Sequence, residues 1–287
     1  MATNTPFGQR LGLVLEGGAM RGIYTAGVLD VFLEAGIMPD VVVGVSAGAL
    51  HGCSYVAGQK GRSIRYYRKY RSDKHFMGLY SLLTTGDVVG TKFCYEDIPL
   101  RLDPFNEAAF EKAPVDFYVT VTNVRTGKPE YILCDELKVG SKMDVIRAGA
   151  SMPLCSKMVE WNGNLYLDGG VSDSIPYAKM KDFGCRKSIV VLTQPAGYLK
   201  QPAAMAPFEA MYRKYPAFVA AMRGRDQMYN TEVCAVEQAA KQGDVFLIRP
   251  SKLLHVGRME HDIEVLNAQY ELCLLYTSPS PRDRSLS

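Results

Sequence analysis

Twice near its N-terminus this chain repeats one arrangement: a short apolar run, a glycine-rich turn, then a helix-like pattern. Leu11–Leu15 runs into Glu16-Gly17-Gly18-Ala19-Met20-Arg21-Gly22, and the stretch Ile23–Ala35 that follows has helical periodicity and closes at Gly36. Val41–Val45 then ends in Gly44-Val45-Ser46-Ala47-Gly48, followed by the small-residue helix Ala49–Ala57. Apolar runs without polar alternation suit strands covered on both faces, and strands separated by helices pair in parallel. Phe117–Val121 and Tyr131–Cys134 flank a turn at Asn123–Lys128 and read as a hairpin, while Leu165–Leu167, Ser188–Leu192 and Val245–Ile248 supply further strands. The expected fold class is α/β: a mainly parallel central sheet covered by helices.

Gly44-x-Ser46-x-Gly48 carries the strongest chemical signal. A sharp strand-to-helix turn projects a hydroxyl clear of the backbone, and the flanking glycines remove side chains that would block it. The helix N-terminus also favours an alkoxide-like oxygen. The loop Gly17–Gly22 follows a strand in the same way, so its exposed amides suit an anion. A dinucleotide pyrophosphate would call for an acidic residue at the far end of the next strand, where this chain has Gly44-Val45-Ser46-Ala47-Gly48. The oxyanion of an acyl-transfer intermediate fits better, because adjacent parallel strands bring Gly17, Gly18 and Ala19 beside Ser46. A serine nucleophile needs a base. His255 or His261 would complete a triad of the α/β-hydrolase order, yet that fold places several strands before the nucleophile and here only one precedes it. Asp168, at the end of Leu165–Leu167 and before Gly169-Gly170, is the alternative, although aspartate before glycine is also a common turn pair.

The order of these motifs, a glycine-rich loop, G-x-S-x-G and then D-G-G, resembles the patatin-like phospholipase family, most of all its bacterial single-domain members. The resemblance extends through Arg147–Pro153, Asp168–Pro176 and Ser188–Leu192. It implies a patatin-like open α/β sandwich and a lipid acyl hydrolase, in which Ser46 is the nucleophile, Asp168 its base, and Gly17, Gly18 and Ala19 the oxyanion hole. Arg21, Gly22, Gly44, Gly48, Gly169 and Gly170 would support these motifs. No histidine, metal or cofactor is implied. Ala19 stands where a third glycine is common, and Glu16 where aspartate is usual; Glu16 is expected to affect the strand end rather than the chemistry. A soluble esterase or thioesterase on the same dyad, or a non-catalytic lipid-binding protein of the same fold, are the rival readings.

A formal charge of +3 is too small to imply a nucleic-acid partner, so any basic surface must be local. Residues 60–74 hold Lys60, Arg62, Arg65, Arg68, Lys69, Arg71 and Lys74 among Tyr66, Tyr67 and Tyr70. This is either a solvated helix face or a docking surface for anionic lipid. Arg213–Arg225, around Phe218, Val219 and Met222, repeats the theme more weakly. Segment 58–112 is the least periodic and is a candidate lid. There is no signal-peptide pattern and no run of ~18 apolar residues, and the seven cysteines are scattered. A cytoplasmic protein with reduced thiols, peripheral on the inner face of the membrane, is the expectation.

One acyl hydrolase domain is expected over residues 8–272. Residues 273–287 differ from the rest: Cys273–Asp283 matches a reading frame of a transposase adapter used in sequencing libraries. The tail is therefore expected to be foreign, with Thr277–Ser287 irregular and exposed, and to interrupt a helix that begins near His261.

Overall fold

The computed structural model describes residues 10–253, 256–257 and 259–277. Eight strands form one sheet: β1 (Arg10–Leu15), β2 (Val41–Val45), β3 (Asp116–Asn123), β4 (Pro129–Leu133), β5 (Val159–Trp161), β6 (Asn164–Asp168), β7 (Cys185–Val191) and β8 (Val245–Ile248). Their order is β5-β6-β3-β2-β1-β7-β8, with β4 also on β3. The run from β3 to β8 is parallel throughout, and the antiparallel strands β4, β5 and β6 gather at the other end. The hairpin expected around Asn123–Lys128 is the β3–β4 pair.

Apolar residues alternate between two covered faces. Leu13, Leu15 and Val42 pack with Val28 and Leu29 of α1 (Ile23–Glu34) and with Ala49 and Cys53 of α2 (Ala47–Val56). Val14, Val41, Val43 and Val190 meet Tyr229, Val236 and Ala239 of α9 (Arg225–Lys241) on the opposite face. Each buried valine or leucine among them contributes about 1.5–3 kcal/mol. The C-terminal helix α10 (Ile263–Thr277) lies on α1, where the Tyr270 hydroxyl donates to Asp30 Oδ2 at 2.6 Å. This helix runs to Thr277, so residue 273 falls within it. The tail from Ser278 onward, like His255, lies outside the described residues.

Segment 58–112 is largely helical, built from α3 (Arg62–Tyr70), α4 (Leu79–Thr85), a wide π-type turn at Phe93–Leu102 and α5 (Glu107–Lys112). The basic stretch within it divides in two: Arg62 and Arg71 are buried, while Lys60, Arg65, Arg68, Lys69 and Lys74 are exposed. Arg62, 5% exposed, donates to Ser54 Oγ and the Asp103 carbonyl, and Arg65 grips the Asp103 carboxylate at 2.6 and 2.8 Å. Arg71 is buried and donates to the carbonyls of Glu260 and Met259, and Arg68 donates to Asn267. The planar fork of arginine satisfies several acceptors at once, and here it ties the segment to the C-terminal region. In the second basic stretch Phe218, Val219 and Met222 of α8 (Pro216–Arg223) are buried in a core cluster, while Arg213, Lys214 and Arg223 are exposed. Among the described residues no helix is long and apolar enough to cross a membrane.

Candidate active site

The register of the sheet brings the serine and the aspartate together. Consecutive residues of β3, Thr120 and Val121, pair with Val45 and Asp168, so the ends of β2 and β6 meet on that strand. Ser46 follows Val45 with φ 53° and ψ −123°, a conformation unusual for a residue with a side chain and typical of a strained nucleophile turn. The turn closes only because its flanks are bare: a Cβ on Gly44 would lie 2.5 Å from Ala49 Cα, and one on Gly48 would lie 2.4 Å from the Leu15 carbonyl oxygen.

The Ser46 hydroxyl donates to Asp168 Oδ2 at 2.6 Å, and the amide of Gly170 donates to Asp168 Oδ1 at 2.8 Å. Thr122 Oγ1 holds the Asp168 carbonyl at 2.8 Å, and Gly169 packs against the Thr120 carbonyl. Burial raises the Asp168 pKa above the ordinary aspartate value, opposed by the Ser46 hydrogen bond and by Arg225. The carboxylate is thus a stronger base than an exposed aspartate, and it is held in contact with the hydroxyl.

Gly17, Gly18 and Ala19 stand beside Ser46, and among the described residues their amides meet no protein acceptor. Thr193 Oγ1 donates to the Gly17 carbonyl at 3.1 Å, and the Arg21 amide donates to the Gly18 carbonyl at 3.1 Å, which turns the carbonyls away and leaves the N–H groups for an anion. Gly22 nests against Ala47 and His51 of α2. Ala19 has φ 49°, in the left-handed region where alanine is strained by about 1–2 kcal/mol. Ala19→Gly is therefore expected to keep activity and raise the melting temperature by about 2–4 °C. Paired thermal melts and ester assays check this, and an unchanged or lower transition would show that the loop stores no strain there.

Glu16 does more than end a strand. It is 3% exposed, accepts from the Thr193 amide and from the Tyr229 hydroxyl at 2.9 Å, and joins β1, β7 and α9 directly beneath the loop. Burial raises its pKa, against those two hydrogen bonds. Behind the Asp168 turn, Glu232 accepts from the amides of Ser174 and Ile175 at 3.2 and 3.0 Å, and Asp173 accepts from the Tyr131 hydroxyl. Burial, with the facing Asp173, pushes the Glu232 pKa up. Nothing in the local sequence marks Glu232, which comes from a distant helix.

Two cavities meet at Ser46. One is apolar, has about 940 Å³ of empty space, and runs beneath segment 58–112 between Tyr67, Phe76, Tyr95, Ile98, Met143 and Ile146. The candidate lid thus forms its roof. The other, about 990 Å³, is lined by Asp168 and Glu16 and by the cations Arg21, Lys200 and Arg225. Lys200 lies in an irregular loop with no sequence signal, and Arg225 belonged to a stretch read as either a solvated face or a docking surface for lipid. Of the histidines, His51 is buried in α2 with neither ring nitrogen bonded among the described residues, and burial lowers its pKa to about 4. His75 and His261 are exposed.

Fold, hydroxyl nucleophile motif and apolar cavity together mark a hydrolase of lipid esters, and comparison with known proteins agrees. The chain belongs to the patatin-like phospholipase family, whose model matches residues 13–180. A second model, described as a domain of unknown function (DUF6363), matches residues 215–277. The uncharacterized protein YjjU of Escherichia coli is 28% identical over 271 residues, which cover 92% of this chain and 74% of that protein. Lysophospholipase nte1 of Aspergillus terreus is 30% identical over 182 residues, and Lysophospholipase NTE1 of Saccharomyces cerevisiae is 30% identical over 190. These matches cover 62% and 64% of this chain but only 11% of either fungal protein. Among solved structures, VipD from Legionella pneumophila aligns at a TM-score of 0.41 with 13% identity, over 94% of this chain and 67% of that one.

Proposed function

We propose that this protein cleaves carboxylic ester bonds of phospholipids or lysophospholipids through a Ser46–Asp168 dyad and a covalent acyl-enzyme. The observation that carries this reading is the 2.6 Å hydrogen bond from Ser46 to a buried carboxylate where an apolar and a cation-lined cavity meet. Asp168 takes the hydroxyl proton as Ser46 Oγ attacks the ester carbonyl, and the amides of Gly17, Gly18 and Ala19 receive the oxyanion. Collapse of the tetrahedral intermediate expels the alcohol, which takes the proton from Asp168. Water then surrenders a proton to the same carboxylate, attacks the acyl group and releases fatty acid and free serine.

The acyl chain fits the apolar cavity, and a phosphate-bearing head fits the one holding Arg21, Lys200 and Arg225. The lysophospholipases among the relatives support the same substrate class. Such a substrate resides in bilayers, so peripheral contact with an anionic membrane belongs to this reading. A fluorophosphonate probe is expected to label the wild type and not Ser46→Ala. At equal chain length, a lysophospholipid should be hydrolysed with kcat/KM at least about tenfold above that of a monoacylglycerol. Equal rates would remove the head-group assignment, and labelling retained by Ser46→Ala would remove the nucleophile.

A further inference from the structure

Helix α4 is built inside out. Of its side chains only Ser81 is buried, 1% exposed, with its hydroxyl donating to the Asp87 carbonyl at 2.8 Å. Its apolar residues face outward: Leu79 is 70% exposed and Leu83 76%, with Tyr80 and Leu82 also exposed. Burial in water normally drives the opposite arrangement, with leucines turned to the core and serine to solvent. Outward leucines on a polar footing are stabilised where the surroundings of the helix are themselves apolar.

The position of the helix points to which surroundings. At its base, Met77 bridges Val89, and both residues line the apolar cavity. On its other side, the Val88 amide donates to the Cys155 carbonyl, and Lys157 Nζ donates to the Thr85 carbonyl at 2.7 Å. These contacts join it to the segment Met152–Cys155 on the wall of the cationic cavity. Residues adjoining α4 thus line both compartments that open on Ser46. A lysine stands at each end of it. Lys74 Nζ lies 4.6 Å from the Tyr80 ring centre, and Lys157 stands at the far end of the helix. The nearby acids are engaged, Asp73 with His75 and the buried Asp87 with Thr91 and the Lys157 amide. Four side chains on a seven-residue helix fall well short of the ~800 Å² per partner of a stable protein interface.

We propose that α4 is the element that docks this protein on an anionic bilayer surface, with Leu79, Tyr80, Leu82 and Leu83 entering the interface and Lys74 and Lys157 meeting head groups. The proposal rests on the lipid-ester reading above, and it places both cavities against the layer that holds the substrate. Shallow insertion of an apolar helix face combined with basic flanks is the usual physical basis of peripheral binding.

The test is co-sedimentation with phosphatidylcholine vesicles, with and without phosphatidylglycerol, in a Ser46→Ala background so that no lipid is consumed. In the active background, turnover of a short water-soluble ester reports the fold and the site separately. Leu79→Asp and Leu83→Asp are each expected to lower the partition coefficient by about tenfold or more, since a leucine transferred from water carries at least that factor. Binding should be tighter to the phosphatidylglycerol vesicles and should weaken with salt, and soluble-ester turnover should stay at the wild-type value. Should an aspartate variant melt early, Leu79→Ser and Leu83→Ser repeat the measurement. Undiminished binding by the variants, no vesicle binding by the wild type, or a dimer that Leu83→Asp converts to monomer would each overturn the proposal. Absence of lipid hydrolysis with α4-dependent vesicle binding intact would instead overturn the functional reading alone.

Discussion

Ser46→Ala and Asp168→Asn are each expected to lower kcat on a chromogenic acyl ester by on the order of 10⁴ or more while leaving a cooperative thermal transition. Without Oγ there is no nucleophile. Without the carboxylate there is no group in contact with Oγ able to take its proton, because among the described residues the only side chain assigned to the Ser46 hydroxyl is Asp168. The two variants should differ in stability. Burial raises the Asp168 pKa above that of an unfolded aspartate, so the native state favours the protonated form. Such a group contributes most below the unfolded pKa, and its contribution is lost as pH rises through the folded value. At neutral pH the ionised carboxylate therefore costs stability, and Asp168→Asn should melt no lower than the wild type. Activity follows the opposite sign: it requires the ionised form and falls as pH falls through the raised pKa, at a higher pH than an exposed aspartate would give. Near-wild-type turnover by Asp168→Asn would refute the dyad. A loss of ~10³ in His255→Gln or His261→Gln would move the base to histidine.

The second large effect is expected at Gly17. A Cβ there would lie 2.8 Å from Ser46 Cβ and 3.0 Å from the Val45 carbonyl oxygen, and neither atom can yield without moving the nucleophile turn. Gly17→Ala should lower kcat on the order of 10²–10³, the scale set by losing one oxyanion donor or by displacing a reacting group by about 1 Å. The effect should fall on kcat more than on KM, since the amides of the loop serve charge that develops only in the transition state. Proline at position 18, which would delete one donor outright, is a poorer probe. Gly18 has φ 178°, far from the value near −65° that proline requires, so loop breakage and donor loss would be confounded. A folded Gly17→Ala protein with full activity would place the oxyanion site elsewhere.

The basic stretch and α4 show where linear reading misleads. Arg62 and Arg71 look like surface charge in the sequence, yet they lie buried against Asp103 and against the carbonyls of residues 259 and 260. An arginine and its acceptors separated by nearly two hundred positions leave no local pattern. Leu79–Thr85 lies in the least periodic segment of the sequence, and only the inward placement of Ser81 reveals that its leucines face out. Glu16 is a similar case, a carboxylate at a strand end whose partners, Thr193 just after the neighbouring β7 and Tyr229 of α9, are remote in the chain.

By itself the sequence determined the class of fold and singled out the candidate reacting groups. Both are local: uninterrupted apolar runs separated by helices encode a parallel sheet, and the turns that end them must carry glycine where backbone crowds backbone, as at Gly44 and Gly48. Even the choice of Asp168 over a histidine rested on motif order. Tertiary structure alone decided what surrounds those groups. The pairing of Val45 and Asp168 with neighbouring residues of β3 set the 2.6 Å contact, burial raised the pKa of the base, and segment 58–112 roofed the apolar cavity. Lys200 and Arg225 reached the second cavity from beyond the catalytic motifs. Distance, desolvation and enclosure arise between segments remote in the chain, and side-chain periodicity records only which face a residue turns, not what it meets there.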